Sequence, residues 1–159
     1  MQQKYSTSQK IKYPKSRLGK LIAVQRRLQS KNAMKDDIDA LWRKLTKLKW
    51  GEHCIAYGDD RACGGNLECH HIKPRSRGLI ARYHPENGIP LCHSHHWLWH
   101  KDILWAKKFI LKHKTQKELD KLELDCSFSS PQFDYQLEKL FLEAEIKKFT
   151  NMEEELPDS

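Results

Sequence analysis

From Asp36 onward, Ile38, Leu41, Trp42, Leu45 and Leu48 recur three or four residues apart, which predicts a helix with one apolar face. Aspartates at its start and lysines at its end suit the helix dipole, Gly51 stops it, and its basic face reads as the solvated side of a packing helix. Residues 1–33 are weakly periodic and read as a basic arm, within which "SRLGKLIAVQRRLQS" would place Leu21, Val24 and Leu28 on one helical face. Periodicity then fails from 52 to 92, where "GDD", "CGGN", "PRSRG" and "HPENGIP" are turn signals around two short strands, near Leu67–Ile72 and Gly88–Leu91. Helical spacing returns after Cys92 with Trp97, Leu98, His100 and Leu104, and Asp102 is placed to cap a second helix, "ILWAKKFILKH". Thr115 and Glu118 match a capping box, and a last helix is expected from "SSPQFDYQLEKLFLEAEIKKF", with Ser130 as cap and Pro131 in its first turn. The acidic tail should fray. The expected organisation is an arm (1–33), a packing helix (34–50), a core (51–113), C-terminal helices (114–150) and a tail (151–159), an α+β chain.

Charge changes this picture. Residues 1–50 hold 14 Lys and Arg against 3 Asp and Glu, a balance of +11, whereas the remainder is at −3. A basic arm on a near-neutral body points to a nucleic-acid backbone, the blander reading being a solubilising tail. No run of 18 apolar residues exists and the N-terminus has no apolar leader, so a cytoplasmic protein with no membrane partner is expected. Five cysteines, an odd number, favour reduced thiols or metal ligands over a disulfide framework.

Seven of the nine histidines lie between His70 and His100. His70 and His71 are adjacent on a predicted strand and must point to opposite faces. His96 and His100, four apart on a predicted helix, project from one face and could clamp a metal ion. A third imidazole from the strand would complete a three-histidine site with open positions, the pattern of a catalytic rather than a closed structural centre. Arg75, Arg77 and Arg82, between the histidine groups, are donors suited to phosphate. Scattered surface histidines are the competing explanation.

The segment "HHIKPRSRGLIARYHPENGIPLCHSHHWLWH" resembles the core of the HNH (ββα-metal, His-Me finger) endonucleases, especially small phage-type members. The pattern is a paired histidine in the first strand, an asparagine opening the second strand sixteen residues on, then His96 nine residues later and His100 four beyond that. The resemblance covers about residues 52–104, with a weaker echo in the preceding "LWRKL" helix. It implies a ββα-metal core flanked by helices. It further implies His70, His96 and, in some members, His100 as metal ligands, His71 as general base, and Asn87 as a brace that helps orient that base. The implied reaction is metal-dependent phosphodiester hydrolysis in DNA, by nicking or double-strand cleavage, with RNA left open and a homodimer as one arrangement for double-strand cutting. The setting would be a bacterial or phage-infected cell. Three neutral nitrogens suit zinc, nickel or manganese better than magnesium, which many members with a carboxylate at the His70 position favour and which phosphate oxygens could still let act here during turnover.

Members of this family often brace the motif with a structural zinc held by two Cys-x-x-Cys pairs. Here Cys92-x-x-His95 matches one half, while Cys54 and Cys63 are separated by eight residues rather than two. A Cys3His zinc site from Cys54, Cys63, Cys92 and His95 is the expectation, with Cys69 and His53 as rival ligands and buried unmetallated thiols as the alternative. Cys126 reads as structural. Of Trp97, Trp99, Trp105 and Phe109, at least two should be core rather than base-stacking, and Tyr83 and His84 are loop candidates for substrate contact. Two other functions compete with the nuclease: a non-catalytic zinc-bound nucleic-acid-binding module on the same scaffold, and a zinc-stabilised protein-interaction domain.

Overall fold

No glycine or proline interrupts the chain between Lys20 and Trp50, so nothing there breaks a helical hydrogen-bond ladder. Helix α1 accordingly spans Arg17–Trp50, which corrects the expected start at Asp36. The computed structural model describes residues 17–59, 61–128 and 132–154. Two compact units divide the chain, Met1–Ala33 and Met34–Ser159. In the first, the opening of α1 leaves Leu21 and Val24 exposed, and the side chain of Leu28 is outside the described set.

The second unit is built on a hairpin. Strand β1 (Leu67–His71) pairs antiparallel with β2 (Gly88–Cys92), Leu67 opposite Cys92 and His71 opposite Gly88. All five residues of β2 are buried. A Cβ at Gly88 would lie 2.2 Å from Thr46 Oγ1 and 2.9 Å from the Trp42 ring, so only glycine lets α1 rest against the hairpin. The connection between the strands, expected as loop, contains a 3-10 turn (Arg75–Arg77) and a short helix α2 (Leu79–Tyr83).

Helix α3 (His93–Lys101) follows β2 directly. Asp102 then accepts a hydrogen bond from Trp105 N and opens α4 (Ile103–Ile110), and the Thr115–Glu118 capping box opens α5 (Gln116–Ser127). Helix α6 (Tyr135–Glu154) begins later than expected. Its cap is Asp134, whose Oδ1 accepts from Gln136 N and Leu137 N, while Ser130 and Pro131 lie outside the described residues. The helix runs on into the stretch expected to fray.

Two larger apolar clusters hold these elements, and a smaller one of Ala81, Leu122 and Cys126 joins α2 to α5. Ile38, Trp42, Leu45, Tyr83, Leu142 and Ile146 join α1, α2 and α6. Ile89, Leu91, Phe109, Ile110 and Leu119 join the hairpin to α4 and α5, with Cys54, Ala56 and Cys92 at the edge.

Candidate active site

Alternation along β1 sends its two histidines apart. His70, 5% exposed, turns toward α3, its ring centroid 4.6 Å from that of His96 and 5.0 Å from that of His100. His71 turns toward α1 and lies flat on Trp42, 4.0 Å between centroids and 7° between planes.

One ring nitrogen from each of His70, His96 and His100 falls within 4.8 Å of the others. His96 Nε2 and His100 Nε2 are 3.2 Å apart, near the about 3.4 Å that a tetrahedral ion with metal–nitrogen bonds of about 2.1 Å imposes. His70 Nε2 is buried with no hydrogen-bond partner among the described residues. Such an orphan is costly, and a cation would satisfy it. Burial, reinforced by His96 and His100, pushes His70 down to about 3, so its ring is neutral as a ligand must be. Glu68 sits two residues before His70 on the same strand face and accepts from His96 Nδ1 and, at 3.1 Å, from His93 Nδ1. That contact fixes the His96 tautomer and leaves Nε2 as its donor atom. The sequence reading missed Glu68, although its i−2 spacing from His70 was the available signal.

His71 Nε2 lies 2.9 Å from the carbonyl oxygen of Arg82. A carbonyl only accepts, so Nε2 carries the hydrogen and Nδ1 keeps the lone pair. Burial holds this imidazole below its ordinary value, partly opposed by the Arg82 carbonyl, and the Arg75 and Arg82 charges lower it further. Asn87, fully buried, ties down the segment that presents Arg82. Its Nδ2 donates to Lys73 O at 2.9 Å and Ala81 O at 2.7 Å, and its Oδ1 accepts from Lys73 N at 2.6 Å. Trp42 Nε1 donates to His84 O at 3.0 Å, which locks the ring that backs His71.

These histidines line a cleft of about 940 Å3 together with Asp39, Trp42, Arg43, Lys47, Arg75 and Arg82. Two of the three expected phosphate-binding arginines are already engaged. Arg82 makes a two-pronged bond to Asp39, and Arg77 pairs with Glu123. Arg75 lines the cleft and is exposed. Tyr83 is a correction: an apolar ring in α2 facing Phe133, 1% exposed, it belongs to the core and has no access to substrate. His84 is half-buried, 3.5 Å from Asp125. Phe109 is core, Trp99 and Trp105 pack against that core, and Trp97 stands 48% exposed.

A second cluster lies at the other end of the hairpin. Bonds from Ile55 N to Pro90 O (3.1 Å) and from Ser94 N to Gly64 O (3.1 Å) bring Cys54 and Cys63 to the start of α3. There Cys54, Cys63 and Cys92 Sγ lie 3.6, 3.7 and 3.2 Å from His95 Nδ1. A tetrahedral zinc ion with Zn–S of about 2.3 Å and Zn–N of about 2.0 Å sets that separation at about 3.5 Å. The cluster therefore has the donors and spacing to hold zinc. The rivals are placed elsewhere: Cys69 Sγ faces Arg43 O at 3.6 Å, and His53 packs beside Gly51.

Residues 54–104 match the family model described as HNH endonuclease. That segment belongs to the HNH family. No curated protein and no solved structure matches the chain. The HNH segment contains both clusters, His71 and Asn87, and it brings with it a nuclease-type function on nucleic acid. Trp42 and Asp39, which touch His71 and Arg82, precede it.

Proposed function

We propose that this protein is a metal-dependent HNH endonuclease that hydrolyses phosphodiester bonds in DNA, with His71 as general base. The observation that carries the reading is the His71 contact to the Arg82 carbonyl, which leaves Nδ1 as an acceptor in the same cleft as three convergent imidazoles. His71 takes the proton of the attacking water at Nδ1. Trp42 keeps the ring in plane and the Arg82 carbonyl keeps its tautomer, while Asn87 holds the connecting segment in place. His70, His96 and His100 are the metal ligands, and Glu68 orients His96. A divalent cation held there supplies positive charge to the scissile phosphate and the departing 3′ oxygen. The all-nitrogen donor set favours zinc, nickel or manganese over magnesium. The Cys54, Cys63, Cys92 and His95 cluster holds a structural zinc in this reading.

The test is supercoiled-plasmid cleavage by the full chain, wild type beside His71→Ala, with each metal added in turn. Metal-dependent nicking or linearisation that the His71→Ala protein loses, while still binding DNA, supports the reading. Equal cleavage by both proteins removes His71 from the role of base. Binding without cleavage under every metal turns the reading to a non-catalytic nucleic-acid-binding module.

A further inference from the structure

Helix α1 precedes the matched segment 54–104, yet one of its faces forms a side of the histidine cleft. Asp39, Trp42, Arg43 and Lys47 all line that cleft, and Thr46 on the same stripe is buried against Gly88. Steps of three and four residues gather these positions on one helical face. A second stripe, Ile38 and Leu45, shares Trp42 with the first and packs against Leu142 and Ile146 of α6. The cleft face is anchored at its centre: the Arg43 carbonyl accepts from Cys69 Sγ at 3.6 Å, and Cys69 is the strand neighbour of His70. Arg43 and Lys47 thus stand beside the floor of the site on β1, and His96, Trp99 and His100 of α3 line the same cleft.

The cations around the cleft divide by partner. Arg82 is neutralised by both oxygens of Asp39, and Lys73 and Arg77 share Glu123. Arg43 and Arg75 are exposed and have no carboxylate partner among the described residues. Lys47 reaches Glu52 at 3.7 Å, a residue whose own side chain is 80% exposed. A cation already held by a carboxylate gains little by meeting a phosphate, whereas an unpaired one can displace a condensed counterion.

We propose that Arg43 and Lys47 of α1, with Arg75, form a phosphate-binding wall that holds the backbone of duplex DNA on either side of the scissile phosphate. This rests on the nuclease reading above and names the surface that grips its substrate. It places two of the three cations outside the HNH segment. It also gives the basic face of residues 34–50 a ligand instead of solvent.

The test is anisotropy of a labelled duplex oligonucleotide across a salt series, in a His71→Ala background that keeps the substrate intact. Arg43→Gln and Lys47→Gln should each lower the slope of log affinity against log salt by about 0.9, the loss of one duplex phosphate contact. Lys44→Gln should leave the slope unchanged, because Lys44 is an exposed cation of α1 that does not line the cleft. In cleavage assays of the otherwise wild-type chain, the Arg43→Gln/Lys47→Gln double variant should raise KM with kcat retained. Equal slopes for all three variants, on a parent that binds and a wild type that cuts, would overturn the wall and leave the nuclease standing. A wild type that neither binds nor cuts DNA would overturn both.

Discussion

Asn87→Ala removes three hydrogen bonds from a site that water does not reach, because the side chain is fully buried. The groups left behind are Lys73 N, Lys73 O and Ala81 O, all main-chain atoms of the connection between the strands. At about 1 kcal/mol net for each bond the loss is about 3 kcal/mol, rising toward about 5 kcal/mol if the orphaned groups stay dry. For a chain of this length the lower figure lowers Tm by about 6–12 °C. Urea denaturation followed by tryptophan fluorescence, at fixed metal content, measures it directly. Asn87→Asp separates the hydrogen bonds from mere shape. It keeps the acceptor for Lys73 N but turns an oxygen toward two carbonyls that had received a donor. The ionised form is repelled, so folding raises the pKa of the new carboxyl above its unfolded value. Its stability is therefore closest to wild type in acid and is lost as pH rises through the raised folded pKa. Both variants should also lose activity, since this segment presents the Arg82 carbonyl to His71. An Asn87→Ala protein within about 0.5 kcal/mol of wild type, the range of an ordinary surface change, or an Asn87→Asp protein more stable at neutral than at acid pH, would refute the reasoning.

Other perturbations probe separate parts of the site. Glu68→Ala should weaken metal binding at the three-histidine cluster by about 10–100-fold in titration calorimetry, because His96 loses the carboxylate that fixes its tautomer; unchanged affinity would show that the carboxylate is idle. Cys92→Ala should reduce bound zinc, counted by a colorimetric chelator on denatured protein, by one ion per chain and sharply lower Tm; an unchanged zinc count would remove the thiol cluster as a metal site. Burial alone would raise the pKa of Glu86, but hydrogen bonds and charge from Lys114 and Lys49 outweigh it and bring it to about 2. A depressed carboxyl stabilises the fold above its unfolded pKa near 4.5 and loses that contribution as pH falls toward 2. Glu86→Gln should therefore flatten the acid limb of the stability profile over that interval, and an unaltered limb would count against the Lys49–Glu86–Lys114 linkage.

How legible these features were in the sequence depended on how local their signals are. The capping box at Thr115 and the cap at Asp102 are written within four residues, and both formed as read. The hairpin was legible because turn residues bracket two short apolar runs, and the three-histidine cluster because strand alternation and i,i+4 spacing constrain direction before any tertiary contact is known. Helix α1 was harder. Its Lys- and Arg-rich opening is only weakly periodic, so the sequence reads as an arm with a helical stretch followed by a separate helix, whereas the backbone continues as one because no glycine or proline stops it after Lys20. Its link to the site was legible only as the weaker echo of the family in "LWRKL", and its contact with His71 was not. Trp42 satisfies a core pattern equally well whether its ring meets only α6 or also His71, and only the packing of α1 onto Gly88 decides between them. Tyr83 failed for the same reason in reverse, since a turn-rich context hides the short helix α2 that turns it inward.

His95 and His96 are consecutive in α3, yet one belongs to the thiol cluster and the other to the imidazole cluster. Successive residues of a helix differ by about 100° in azimuth, and that single angular step is what keeps a soft, sulfur-rich centre and an all-nitrogen centre from merging. Length is therefore more constrained than composition between Cys92 and His100. A residue inserted or deleted before His95 would rotate everything after it relative to Cys92, while one placed between His96 and His100 would split the clamp and spare the thiol cluster. Drift within this helix is free to replace Trp97 or Leu98 but not to change the count, so relatives of this chain should differ there by substitution alone.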